Sequence, residues 1–168
     1  MSIKVLIVDD HPVFRTGLRK LLAADTEIKV IGEAGDGLEA IEAVKSHHPE
    51  VVVMDVAMPN MSGIEATKQI LSFSSNVKIL ALSIHSGKRY VKGMLDAGAS
   101  GYLVKDTAPD ELIKAIHKVF SGDMYLGSAV TNIALEKTGT DETTESHLVL
   151  NTKLNQPQLT QDLIFWEH

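Results

Sequence analysis

The chain has 168 residues, 44% of them hydrophobic, a formal charge of −6 and no cysteine. That length suits one α/β domain plus a few dozen residues, and the apolar share is enough for a packed core. Disulfides, thiolate metal sites and thiol catalysis are excluded, no run is long enough for a signal h-region or membrane span, and a cytoplasmic protein without membrane contact is expected.

The pattern then alternates strand and helix five times. Ile3–Val8 reads as a strand and Pro12–Ala24 as a helix, with Pro12 in the first turn, where its missing N–H costs nothing. A second strand spans Ile28–Gly32 and a second helix Gly37–Ser46, closed at His48-Pro49 because a residue before proline avoids the α region. Val51–Met54 and Gly63–Phe73 form the next pair, then Val77–Leu82 and Gly87–Ala97. Gly101–Val104 is a short fifth strand, and Pro109–Phe120 the last helix, with Thr107 as its expected cap and Asp110 and Glu111 favoured by the helix dipole. Short branched-aliphatic runs between helices indicate parallel strands buried on both faces, hence a doubly wound open sheet.

Beyond Gly122 the pattern decays. A short helix near Ser128–Lys137, a polar TGTDETTES stretch and an aperiodic end containing Phe165 and Trp166 are expected. Acids dominate this part: Asp123, Glu136, Asp141, Glu142, Glu145, Asp162 and Glu167 stand against Lys137 and Lys153. Its charge has the wrong sign for neutralising nucleic-acid phosphates. Residues 1–122 are therefore taken as one domain and 123–168 as an acidic linker or tail.

Function concentrates at four strand ends. Asp9-Asp10 follow IKVLIV, Asp55 follows VVVM, Ser83 follows ILAL and Lys105 follows YLV. The carboxyl edge of such a sheet is where ligands bind. Any one of these residues alone is more often a bland strand end; together, each after its own strand, they suit a divalent cation beside a carboxylate that accepts a phosphoryl group. Magnesium takes carboxylate, carbonyl and water oxygens. Asp9 and Asp10 point to opposite faces if the strand persists, so Asp10 and Asp55 are expected to ligate directly, Asp9 through water, with the Ala57 backbone carbonyl completing the set. Asp55 then attacks phosphorus, Lys105 pairs with the acyl phosphate and the Ser83 hydroxyl hydrogen-bonds it.

The segments VLIVDDHPVFRTGL, VVVMDVAMPNMSGIEA, ILALSIH and GASGYLVKD closely resemble the receiver domain of two-component response regulators. Within that family they are most similar to the branch usually fused to a LuxR-type helix-turn-helix (NarL/FixJ-like). The resemblance covers roughly residues 1–122 and implies a flavodoxin-like fold with five parallel strands in the order 2-1-3-4-5. It makes Asp55 the phosphoacceptor, Asp9 and Asp10 the acidic pocket, Ser83 the switch hydroxyl, Lys105 the pocket lysine and Tyr102 the switch aromatic, with Pro59 and Gly63 in the loop after the phosphoacceptor. It implies Mg2+, a sensor histidine kinase as phosphodonor, transcription regulation as the output, and no turnover enzyme. A phosphorylation-dependent homodimer is a further expected partner, and the surface bearing Lys88, Arg89, Lys92 and Lys114 is the expected site of dimerisation or output contact.

Asp106 after the pocket lysine, where many receivers have proline, implies a trans peptide. Ala57 offers no side-chain hydrogen bond to a hydrolytic water, which implies slow self-dephosphorylation; His85 flanks the same approach. Leu159-Thr160 resembles the opening of the family's DNA-binding half, but QDLIFWEH follows, so DNA contact is expected only through an output domain absent from this chain. The alternative readings are a stand-alone receiver acting as a binding module and, more remotely, a flavodoxin-like flavin carrier. Asp9-Asp10 would repel a flavin phosphate. A dehalogenase-type phosphatase needs an acid two residues after its nucleophile, where Ala57 stands, and GEAGDG (32–37) has its glycines in the wrong order for a dinucleotide loop.

Overall fold

A computed structural model describes residues 2–133. In chain order the elements are β1 (Ile3–Val8), α1 (Pro12–Ala23), β2 (Ile28–Ala34), α2 (Gly37–His47), β3 (Val51–Met54), α3 (Gly63–Phe73), β4 (Lys78–Ser83), α4 (Lys88–Ala97), β5 (Gly101–Val104), α5 (Pro109–Phe120) and β6 (Tyr125–Leu126). All strand pairings are parallel, in the order β2-β1-β3-β4-β5-β6. The flavodoxin-like order of the first five strands is as expected. The sixth strand is an addition, because a two-residue strand carries no periodic signal.

Side-chain alternation along each strand divides the interior into two cores. Leu6, Val8, Val52, Met54, Ile79, Ala81, Tyr102 and Val104 pack with Ile41, Val44, Ile70, Val91 and Met94 beneath α2, α3 and α4. Val5, Ile7, Val51, Val53, Leu80, Leu82 and Leu103 pack with Leu18, Leu22, Leu112, Ile116 and Val119 beneath α1 and α5. The same alternation sets the direction of the polar residues at the strand ends. Asp9, Asp55 and Lys105 continue the α1/α5 side, whereas Asp10 and Ser83 continue the other.

The register brings the functional residues to one edge in steps. Val8 is opposite Met54, so Asp9 and Asp55 follow side by side. Met54 is opposite Ala81 and Ser83 opposite Val104, which sets Ser83 one residue and Lys105 two residues further along the edge than Asp55. Two helix ends depart from expectation. His48 closes α2 in the left-handed region (φ 49), donating its N–H to the Val44 carbonyl, a C-terminal closure more usual for glycine. Pro109 starts α5, so the cap position falls on Ala108 rather than Thr107, and no side chain caps this helix. No peptide bond among the described residues is cis, including the one after Lys105.

The packed chain continues past Gly122. β6 pairs with β5, and Val130 and Ile133 are buried in the α2–α4 core. Thr131–Ile133 is a helical turn inside the expected Ser128–Lys137 helix; the rest of that segment, with Phe165 and Trp166, lies outside the described residues. No described helix is long and apolar enough to cross a membrane.

Candidate functional site

The four strand ends meet. Lys105 Nζ lies 2.6 Å from Asp9 Oδ2 and 3.4 Å from Asp55 Oδ2, bridging two carboxylates that are themselves buried. Ligand atoms of Asp9, Asp10, His11 and Asp55 all fall within 4.8 Å of one another. Asp55 is 4% exposed, its Oδ1 accepting the Val56 N–H at 2.8 Å. Burial pushes the Asp55 carboxyl up to about 6; the Lys105 ammonium opposes this and the Asp9 charge adds to it.

Such a cluster is electrostatically unfinished. Asp10 Oδ1 is buried without a hydrogen-bond partner, and lies 3.2 Å from His11 Nδ1 without hydrogen-bond alignment. Three converging carboxylates, one with an unsatisfied oxygen, form the hard-oxygen donor set that magnesium accepts. Both Asp9 and Asp10 enter the cluster, so the distances leave the direct and water-mediated roles undivided between them. Ala57 is exposed on the loop after β3.

Ser83, the last residue of β4, is fully buried, and its Oγ accepts the His85 N–H at 3.0 Å. Tyr102 is also fully buried and donates its hydroxyl to the His85 carbonyl at 2.6 Å. One residue, His85, therefore ties Ser83 and Tyr102 together through its backbone. Its ring stacks on Tyr90 with centroids 4.2 Å apart, and burial, then the Arg89 and Lys105 charges, hold its pKa below the ordinary histidine value. Arg89 is engaged as well: it donates to the Tyr90 hydroxyl at 2.8 Å and lies over that ring. It is thus more than one charge on a solvated face.

Several contributors escape sequence reasoning. Phe14 places its ring 4.3 Å from Lys105 Nζ, a cation–π contact that helps fix the ammonium. Arg15 donates to the Asp9 carbonyl and pairs with Glu33, which Arg19 also holds, so β2 braces the Asp9 turn. His11 falls inside the carboxylate cluster and donates its backbone N–H to Asp9 Oδ1 at 2.8 Å. The phenylalanine-arginine pair in the first turn of α1 is the one usable sequence signal for these contacts, since that turn must lie over the pocket.

A family model described as "Response regulator receiver domain" matches residues 5–117. The chain is 41% identical over 131 residues to the transcriptional regulatory protein DegU of Brevibacillus brevis, covering 78% of this chain and 56% of that protein. It is 40% identical over 142 residues to the response regulator UvrY of Escherichia coli strain K12, covering 81% of this chain and 65% of the relative. The chain therefore spans less than two thirds of the length of either. Among solved structures, a LuxR-family two-component response regulator from Aurantimonas sp. SI85-9A1 superposes with a TM-score of 0.77 at 34% identity, covering 82% of this chain and 99% of that one. Fold, strand-end constellation and these likenesses agree: the chain belongs to the response regulator receiver family of two-component systems, in its LuxR-type branch.

Proposed function

We propose that Asp55 accepts a phosphoryl group from the phosphohistidine of a sensor histidine kinase, with Mg2+ held by Asp10 and Asp55 directly, by Asp9 through water and by the Ala57 backbone carbonyl. One observation carries this reading: a buried carboxylate at the sheet's carboxyl edge, beside two more carboxylates and bridged by one ammonium. When bound, the cation would neutralise the carboxylates and take a phosphoryl oxygen. An Asp55 oxygen forms the new bond to phosphorus as the bond from phosphorus to the imidazole nitrogen breaks, and the bonding pair returns to that nitrogen. Lys105 keeps Asp9 and exchanges its longer contact with Asp55 for a phosphoryl oxygen. The Ser83 hydroxyl, now an acceptor from His85, turns to donate to another.

That turn releases the His85 loop, and Tyr102 hangs on the same loop through its hydroxyl. We read the surface with Arg89, Lys92 and Lys114 as the one that changes, offering a phosphorylation-dependent homodimer or output contact. Residues 1–122 would form the receiver unit, with 123–133 packed on it. Transcription regulation, through a DNA-binding domain of the kind the family carries, is the output. This is a switch rather than a phosphatase, because Ala57 stands where a general acid is needed.

The test is incubation with a small phosphodonor and Mg2+, followed by intact and peptide mass analysis. One phosphoryl group on the peptide containing Asp55 is expected, absent after chelation and absent from Asp55→Asn. Equal labelling of Asp55→Asn ends the reading.

A further inference from the structure

The loop between β3 and α3 carries the residues beside the phosphoacceptor. Its two ends are anchored: Asp55 N–H to the Val8 carbonyl at 2.9 Å, and Gly63 N–H to the Val56 carbonyl at 2.7 Å. Its middle turns at Asn60, which sits in the left-handed region (φ 67), a conformation asparagine tolerates better than most residues.

Two bonds tie that middle to the turn between β2 and α2. Asn60 Nδ2 donates to Asp36 Oδ2 at 2.7 Å, and Gly37 N–H donates to the Met61 carbonyl at 3.2 Å. The fit is close, since a Cβ at Gly37 would meet the Met61 carbonyl at 2.8 Å. Asp36 is buried, and its other oxygen accepts the Glu39 N–H at 2.9 Å, capping α2. One carboxylate thus joins the start of a helix on the α2–α4 side to the bend of the phosphoacceptor loop.

We propose that Asp36 and Asn60 form a latch that positions the loop after Asp55, so that their single hydrogen bond sets how readily Asp55 is phosphorylated. The latch rests on Asp55 being the phosphoacceptor. Its physical basis is that in-line transfer tolerates little misplacement, and a charge-assisted bond to a buried carboxylate is costly to lose. Asp36 and Asn60 are positioning residues that touch neither phosphorus nor cation. Asn60 is exposed, so its replacement leaves the cores intact.

Asn60→Asp replaces the donor with a second carboxylate facing Asp36. Labelling by a small phosphodonor should slow about fivefold, the value of roughly one hydrogen bond. Amide hydrogen exchange at residues 57–61 should quicken in Mg2+-free protein, a readout independent of phosphorylation. The double change Asp36→Asn with Asn60→Asp reverses the pair: the amide introduced at 36 still accepts from Glu39 N–H and donates to the carboxylate at 60. Recovery of slow exchange and of labelling in the double variant is expected. Unchanged behaviour of Asn60→Asp overturns the latch, as does a double variant as impaired as the single, since added charge at 60 would then explain the loss. If the wild type takes no label at Asp55, the phosphoacceptor reading itself has failed and the latch falls with it.

Discussion

Asp55 is held under tension by its own burial. A carboxyl raised to about 6 from an unfolded value of 3.8 binds more protons folded than unfolded between those two pH values. Stability therefore falls as pH rises through that window, leaving a penalty on the order of 3 kcal/mol above it. Asp55→Asn removes the penalty along with the Lys105 attraction, so a gain of roughly 1–3 kcal/mol is expected at pH 7.5 without Mg2+. The gain should shrink toward zero by pH 4. Thermal melts across pH check this, and a gain of constant size would locate the effect elsewhere. Adding Mg2+ should raise the melting temperature of the wild type and leave Asp55→Asn nearly unmoved, because a ligand stabilises only the state that binds it.

At the scale of the elements, one substitution has opposite consequences in two helices. Gly63 opens α3 directly against the Asp55 carbonyl, and a Cβ there would overlap that oxygen, a backbone atom that cannot swing aside. Gly63→Ala should cost more than about 3 kcal/mol or displace the loop, and with it phosphorylation. Gly17, in the exposed middle of α1, has open space where a Cβ would go, so Gly17→Ala should stabilise by about 0.5–1 kcal/mol. Denaturant melts of both variants separate the cases, and a shared sign would contradict the packing. These differences mark what sequence can disclose. Strand ends were legible because four branched runs each stopped at polar residues, a pair in the first and one in each of the others, and period-2 alternation already assigned Asp9 and Asp10 to opposite faces. The α5 cap was not legible: Thr107 has the right chemistry, but Pro109 fixes the start of the helix and moves the cap to Ala108. Nor was the link between Asp36 and Asn60, since a contact between two loops 24 positions apart has no local pattern.

Across the whole molecule, the two cores are of unequal construction. Among the described residues, the α1/α5 core draws on elements that end by Phe120 and on the neighbouring β6, whereas the α2–α4 core also takes in Val130 and Ile133 from beyond Gly122. Composition groups those residues with the acidic part from Asp123 onward, which is why the expected boundary falls at Gly122. Topology reverses the balance, because β5 would otherwise be an open edge with unpaired backbone groups. Here the Tyr125 N–H bonds the Ser100 carbonyl and the Gly127 N–H bonds the Tyr102 carbonyl, both at 3.0 Å. The segment thus covers the backbone of the same tyrosine whose hydroxyl reaches His85, so the edge of the sheet and the Ser83 loop share a residue. Val130→Ala should cost about 1–3 kcal/mol for the lost burial. A chain ending at 122 loses that burial, the Ile133 side chain and both edge hydrogen bonds. It should melt below a chain ending at 133 by more than Val130→Ala alone lowers the transition. Equal melting temperatures for the two truncations would mean that β6 and Val130 rest on a domain already complete without them.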